Sequence, residues 1–433
     1  MKTILQSMLK SILPLGLVVM LSCSESYNIE IENRLMTLLE QKAYFELNSE
    51  YQMYKGEVSD KAKLLIEASL FNTFNKNKTS QARINALLGQ ENHELSDSIK
   101  AELRTIQADN YLKLFEYGKA LETNTLILEK YSHVLDSSKI ADLNTMSNIY
   151  RPLVDTRPQQ VIIPSNEVVN IKRDKLGYIN IATTVKGNNY DFIFDTGAGM
   201  SVIKKSFAQQ LSLEILETSI DVKSATDKIV KSSLAVVDTL HIAGITVVNS
   251  VFLVMEDEML EFPQVDFYPL AIIGFPIIEE LGEFTISKEG KLKVMTPTEH
   301  TKWPNMRLES LSPRVFLYNG KDTLEYALDT GAKKSHFTKM YFDKYRNEIK
   351  QTGIVDTVTS YSAGGSQTAI AYKIAQIELF IGNRKGVLSN PSIYTEHSNT
   401  FEDVYGNLGQ DLIAEFDYMT LNFRDMIIEF EIK

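Results

Sequence analysis

Apolar residues in the first third of the chain recur three and four positions apart. Leu35, Leu38 and Leu39 lead to Ala43 and Leu47, and Leu64, Leu65, Ala68, Leu70 and Phe71 keep the same period. A stripe at that spacing predicts amphipathic helices, each burying one face. Nothing breaks the run between Ile29 and Tyr150, a stretch without proline. Ser59, Thr79 and Ser96 stand where helix N-caps are expected. Pro152, Pro158 and Pro164 then interrupt an aperiodic segment, which reads as a linker over residues 151–166.

Beyond the linker the period shortens. Tyr178–Ile181 and Tyr190–Phe194 are short apolar or alternating runs, with Gly187-Asn188-Asn189 between them as a hairpin turn. Similar runs occupy Leu234–Leu240, Ile245–Val254 and Met426–Phe430. This half is expected to be mainly β. Within the helical part, Phe115–Leu121 resembles the inter-helix turn of a tetratricopeptide-type hairpin, with Gly118 at the close approach and Ala120 at the crossing. No clean 34-residue repeat accompanies it, so the expectation is an array of helical hairpins.

The β half repeats itself. Asp195-Thr196-Gly197-Ala198 follows Phe192-Ile193-Phe194, and Asp329-Thr330-Gly331-Ala332 follows Tyr326-Ala327-Leu328, an offset of 329 − 195 = 134. Each is answered downstream by a glycine: Gly274 after Ala271-Ile272-Ile273, and Gly409 after Asn407-Leu408. The distances, 274 − 195 = 79 and 409 − 329 = 80, make one unit of about 130 residues used twice. A carboxylate at the end of a buried strand is held in a fixed, water-poor place. Glycines such as Gly197 and Gly331 let backbone and carboxylate approach closely. Two such carboxylates brought face to face cannot both ionise, so they hold one proton between them.

On these motifs the chain is similar to the retropepsin-like aspartic protease family, over roughly residues 165–433. The resemblance implies that Asp195 and Asp329 are catalytic. It implies that Thr196, Gly197, Ala198, Thr330, Gly331, Ala332, Gly274 and Gly409 build the loops supporting them, with the later glycine loop packed beneath the aspartate. Thr196 and Thr330 would hydrogen-bond across a pseudo-twofold axis. Asn407 departs from the pattern, standing where a hydrophobic residue is expected. Hairpins between each aspartate and its glycine would be flaps, with tips at Lys223–Lys228 (Ala225, Thr226) and Tyr361–Ser366 (Ala363, Gly364, Gly365). Lys333-Lys334 after the second motif would weaken the shared-proton arrangement if it approached the pair.

The first residues change the picture of location. Lys2 and Lys10 precede a short apolar run, Ser11–Leu21, and then Leu21-Ser22-Cys23 meets polar Ser24-Glu25-Ser26. The run is too short to span a bilayer but suits a signal peptide. The junction resembles a bacterial lipobox, which implies lipidation of Cys23 and a lipid anchor in the cell envelope. Cys23 is the one cysteine, so no intramolecular disulfide is available. A formal net charge of -11 argues against a nucleic-acid partner. The six histidines are scattered without metal-ligand spacing, and no Gly-x-Ser-x-Gly elbow or phosphate-binding glycine loop appears.

The expected organisation is therefore multi-domain α + β. A signal peptide (1–22) precedes an α-helical, tetratricopeptide-like domain (23–150) and the linker (151–166). Two pseudo-symmetric, β-rich acid-protease lobes follow, at 167–300 and 301–433. The expected function is aspartic endopeptidase action on a peptide or protein substrate, as a monomer and with no metal or organic cofactor. The helical domain is a possible site for a protein partner. Two rivals stand beside this reading: a non-catalytic peptide-binding or scaffold lipoprotein of the same fold, and a dimer in which lobes pair between chains.

Overall fold

The computed structural model describes residues 27–89, 94–164, 166–224, 226, 228–296, 302–396, 401 and 403–432. The expected signal segment and Cys23 lie outside the described residues. An N-terminal helical region comes first: α1 (Ile29–Glu40), α2 (Tyr44–Tyr54), α3 (Asp60–Thr73), α4 (Asn77–Gly89), α5 (Asp97–Lys113), α6 (Tyr117–Lys130) and α7 (Ser137–Tyr150). Ser59 and Ser96 cap α3 and α5 by accepting from Ala62 N–H and Ile99 N–H. Thr79 caps nothing: it lies inside α4, because the chain re-enters a helix almost at once after α3.

The reason for that abrupt re-entry recurs three times. α1, α3 and α5 each end with one residue in the left-handed region: Lys42 (φ 54°), Asn75 (φ 60°) and Phe115 (φ 57°). In each case the following N–H reaches back five residues: Ala43 to Leu38 O, Lys76 to Phe71 O and Glu116 to Tyr111 O. The left-handed residue's own N–H bonds three back, to Leu39 O, Asn72 O and Leu112 O. This is a Schellman cap made without glycine. It reverses the chain tightly and creates the hairpins α1/α2, α3/α4 and α5/α6.

All three turns meet the β half. Lys42 pairs with Glu309 at 3.6 Å. Asn75 Nδ2 donates to Glu279 Oε1 at 2.5 Å and to Phe423 O at 3.2 Å. Phe115 is buried in a cluster with Val202, Val230 and Leu253. Phe45 stacks on Phe316, centroids 4.5 Å apart, and the Arg307 guanidinium lies over Tyr44. Leu35, Leu47 and Phe74 share one apolar core with Met306, Leu308 and Phe284. The helical array is thus fused to both lobes by packing.

The 151–166 segment is not a free linker. A 3-10 turn at Arg151–Leu153 buries Leu153 completely, and strand Gln160–Ile162 pairs with Thr246–Val248. Gln159 Nε2 also donates to Pro276 O at 2.8 Å, which a sequence scan for periodicity does not register.

Two β-rich sheets follow, one of 13 strands and one of 10. In the first, strand Ile179–Val185 pairs with Asn188–Phe194 through a turn at Lys186 (φ 48°) and Gly187 (φ 80°). Two consecutive positive φ angles match the twist of a tight hairpin. The last hairpin, Tyr418–Asn422 and Ile427–Glu431, does not stay with the second lobe. It joins strand Glu283–Ser287 of the first, so residues of 301–433 complete the 13-stranded sheet. Thr285 pairs with Thr420 there, their hydroxyls 2.8 Å apart and 135 residues apart in sequence. That pair marks a pseudo-twofold axis. Beside this seam Phe194 packs edge-on against Phe284 and Phe275 against Phe423, and Phe284 lies tilted against Phe423.

Candidate active site

Strand Asn188–Phe194 runs parallel to Ala271–Ile273, and Thr323–Leu328 runs parallel to Gly406–Leu408. Each pairing ends where an Asp-Thr-Gly-Ala loop begins. Asp195 N–H bonds Ile273 O at 3.0 Å and Asp329 N–H bonds Leu408 O at 2.9 Å, so each loop hangs from a two-strand ledge. Beneath it the later glycine is tied in. Gly274 N–H donates to Ser201 Oγ at 3.0 Å and Gly409 N–H to Ser335 Oγ at 2.9 Å. The two glycine loops are therefore equivalent, although Asn407 replaces a hydrophobic residue in the second.

The two loops interlock. Thr196 Oγ1 donates to Leu328 O at 2.9 Å and accepts from Thr330 N–H at 3.0 Å. Thr330 Oγ1 donates to Phe194 O at 2.8 Å and accepts from Thr196 N–H at 3.0 Å. Both threonines are wholly buried. A Cβ added to Gly197 would lie 2.5 Å from Asp329 Cγ, and one added to Gly331 2.2 Å from Asp195 Cγ. Only glycine permits this approach. Each aspartate also accepts its own loop's glycine amide, Gly197 or Gly331, on Oδ1 at 2.8 Å.

Electrostatically the pair is unequal. Burial, then the facing Asp329 charge, push Asp195 well above the ordinary carboxylate value against the pull of the Gly197 and Ala198 amides. Burial also raises Asp329, but the Asn407 side chain, Asp195 and the Gly331 and Ala332 amides all pull it down. Both carboxyls thus stand above the ordinary carboxylate value, and each is among the main influences on the other. Lys333 is exposed and Lys334 sits 3.8 Å from Asp411, so no lysine is among the main influences on either carboxylate.

The expected flap tips close two long hairpins, Ile215–Lys223 with Ile229–Ile242 and Ile354–Ser362 with Gly365–Lys373. Thr226 Oγ1 and Ser362 Oγ lie 2.9 Å apart, 136 residues apart in sequence, so the tips meet across the same pseudo-twofold relation. Gly364 N–H donates to Met259 O at 2.9 Å. Gly364 (φ 83°) and Gly365 (φ 122°) adopt backbone that side chains resist, and Ala363 packs beside them. Ala225 lies outside the described residues. A hollow of about 520 Å³ lies elsewhere, at the helical junction between Asn75, Lys76, Glu279 and Glu280.

Two residues near the pair carried no role in the sequence reading. Burial, then Asp174, Asp329 and Asp195, push Tyr178 up to about 12, and its ring lies against Phe267. It sits at the start of a strand, where sequence gives no sign of a site. Asn407 Nδ2 donates to Asp329 Oδ2 at 2.7 Å. Its break with the hydrophobic pattern was the available signal. Among curated proteins none matches this chain. Residues 181–270, which carry the first Asp-Thr-Gly-Ala loop and the first of the two long hairpins, match the family described as aspartyl protease.

Proposed function

We propose that the chain is an aspartic endopeptidase whose catalytic residues are Asp195 and Asp329. One observation carries the reading: the two Asp-Thr-Gly-Ala loops face each other so closely that each glycine abuts the other loop's carboxylate. Such a pair shares a proton at working pH. The ionised member takes a proton from water as the water attacks the peptide carbonyl. The protonated member donates to the carbonyl oxygen, giving a tetrahedral diol. The first aspartate then passes its proton to the amide nitrogen while the second takes one back from a diol hydroxyl, and the C–N bond breaks to give the acid and the amine. No acyl-enzyme forms, so no serine or cysteine nucleophile is required. Both aspartates come from one chain, so a monomer suffices. The flap hairpins cover the bound peptide and must part to admit it. A lipid on Cys23 would hold the enzyme at a membrane in the cell envelope.

The test is digestion of a peptide library, read by mass spectrometry, with wild type, Asp195→Asn and Asp329→Asn. Cleavage by the wild type and none by either variant is expected, because the two groups act as one unit. Substantial cleavage by either single variant at its own pH optimum would sink the dyad.

A further inference from the structure

The two halves of the site share their Asp-Thr-Gly-Ala loops, serines and glycines, but in the matched strands beside the carboxylates Asn407 takes the place of Ile272. Asn407 pairs with Ala327, two residues before Asp329, while Ile272 pairs with Ile193, two residues before Asp195. Where the first lobe offers hydrocarbon, the second offers an amide that donates to Asp329 Oδ2 at 2.7 Å. Asn407 is 2% exposed and its Oδ1, also buried, has no hydrogen-bond partner among the described residues. Burying an amide with half its capacity unused is a cost that an isoleucine avoids. Packing alone therefore does not account for it.

Apart from Asp195, the other member of the pair, the ionisable groups around Asp329 do not supply the same bias. Asp195 faces it from the opposite loop. Tyr178, from the turn before strand Ile179–Val185, is pushed up to about 12 by burial first and stays neutral. His336, on the strand paired with Asn407, is driven down to about 4 by burial despite Asp411, and its ring is held edge-on by Tyr394 and Phe401. Arg173 reaches the loop only through Gln410, whose Nε2 donates to Thr330 O. Lys333 is exposed, and Lys334 is engaged with Asp411.

We propose that Asn407 is a positioning residue that decides which aspartate carries the shared proton, holding Asp329 ionised as the base and leaving the proton on Asp195. The inference rests on the dyad reading above. An amide N–H can only donate, so it favours the ionised form of the carboxylate it touches. It therefore lowers the pH at which the doubly protonated pair loses its first proton. The second proton leaves Asp195 while Asp329 is already ionised, so that step is nearly unaffected.

The experiment is the pH dependence of kcat/KM for the full chain, using a fluorogenic peptide taken from the wild-type cleavage products. Wild type should give a bell. Asn407→Leu should move the acid limb up by about one pH unit, roughly a factor of ten in the first proton dissociation, with the alkaline limb in place. Ile272→Asn, which puts a donor on the proton-bearing side, should move the alkaline limb down. A fall in rate with both limbs unmoved is what a purely structural role gives, and it overturns the proposal. If Asn407→Leu does not fold, Ile272→Asn decides alone, and an unmoved alkaline limb overturns it. A wild type that cleaves nothing brings down the dyad reading and this inference together. An active wild type with limbs that ignore both substitutions brings down this inference only.

Discussion

Replacing Thr330 by valine keeps the shape of the side chain and removes one oxygen. That oxygen makes two of the four hydrogen bonds between the aspartate loops, accepting from Thr196 N–H and donating to Phe194 O. The site is wholly buried, so water cannot replace the lost partner. Each buried group left unsatisfied costs about 1–3 kcal/mol, so the substitution should cost roughly 2–6 kcal/mol. Native proteins keep only about 5–15 kcal/mol of stability, and the loss is a large share of it. Thr330→Ser keeps both bonds and loses one methyl group, about 0.8 kcal/mol. Urea unfolding followed by circular dichroism should therefore order the midpoints as wild type, Thr330→Ser and, well below, Thr330→Val. Thr196→Val should behave like Thr330→Val, since it breaks the other two bonds. The double variant should cost less than the sum, because lobes already loosened by one loss have less to lose from the next. A Thr330→Val midpoint equal to that of Thr330→Ser would refute the claim that this oxygen holds the lobes together.

Asp195→Asn should stabilise the fold at neutral pH. A folded pKa raised above the unfolded value gives stability that is present below about pH 4 and lost as pH rises through the folded pKa. The amide escapes that loss, so the variant's advantage in melting temperature should vanish below about pH 4; an advantage that persists there contradicts the linkage. Asn75→Gly keeps the left-handed turn but strips Glu279 of its donor, and should cost about 1.5–3 kcal/mol. The deficit should be largest at alkaline pH and shrink in acid as Glu279 protonates, and a pH-independent deficit in urea unfolding would refute the charge argument. Cys23→Ser should move the protein from the membrane pellet to the soluble fraction, and unchanged sedimentation would rule out a lipid there as the anchor.

The loops of the pair are marked in the sequence by short, ordered motifs. Two Asp-Thr-Gly-Ala runs at one offset, each after an apolar run, stand where the structure interlocks Thr196 with Thr330. Contacts between distant segments were not legible. Phe115 opens the segment read as an inter-helix turn, but nothing in Lys42, Asn75 or Phe115 marks docking on a β lobe, and Lys42 and Phe115 are not the glycine or asparagine that usually signals a left-handed cap. Met426–Phe430 reads as a strand, but the partner strand and the place of the hairpin beside Glu283–Ser287 go with packing of Phe284 and Phe423 across the seam. The linker reading failed for the same reason: its prolines break periodicity, while its order comes from Asn249, Pro276 and strand Ile245–Met255.

Asn407 shows what a duplicated chain permits. If each lobe were one copy in a symmetric dimer, any substitution would appear on both sides of the pair. A donor beside one carboxylate would then be a donor beside the other, favouring ionisation of both and emptying the site of the proton it must share. The two lobes of this chain are free to differ, and they differ beside the carboxylate itself, amide against Asp329 and hydrocarbon at the matching place beneath Asp195. The surrounding framework stays symmetric, with equivalent threonines, serines and glycines on both sides. An asymmetry in the side chain that touches the carboxylate, with the interlocking threonines matched, changes the proton's preference while the loops stay held together. That separation of roles is why limb positions in the pH profile, and not the maximal rate, are the proper measure of Asn407.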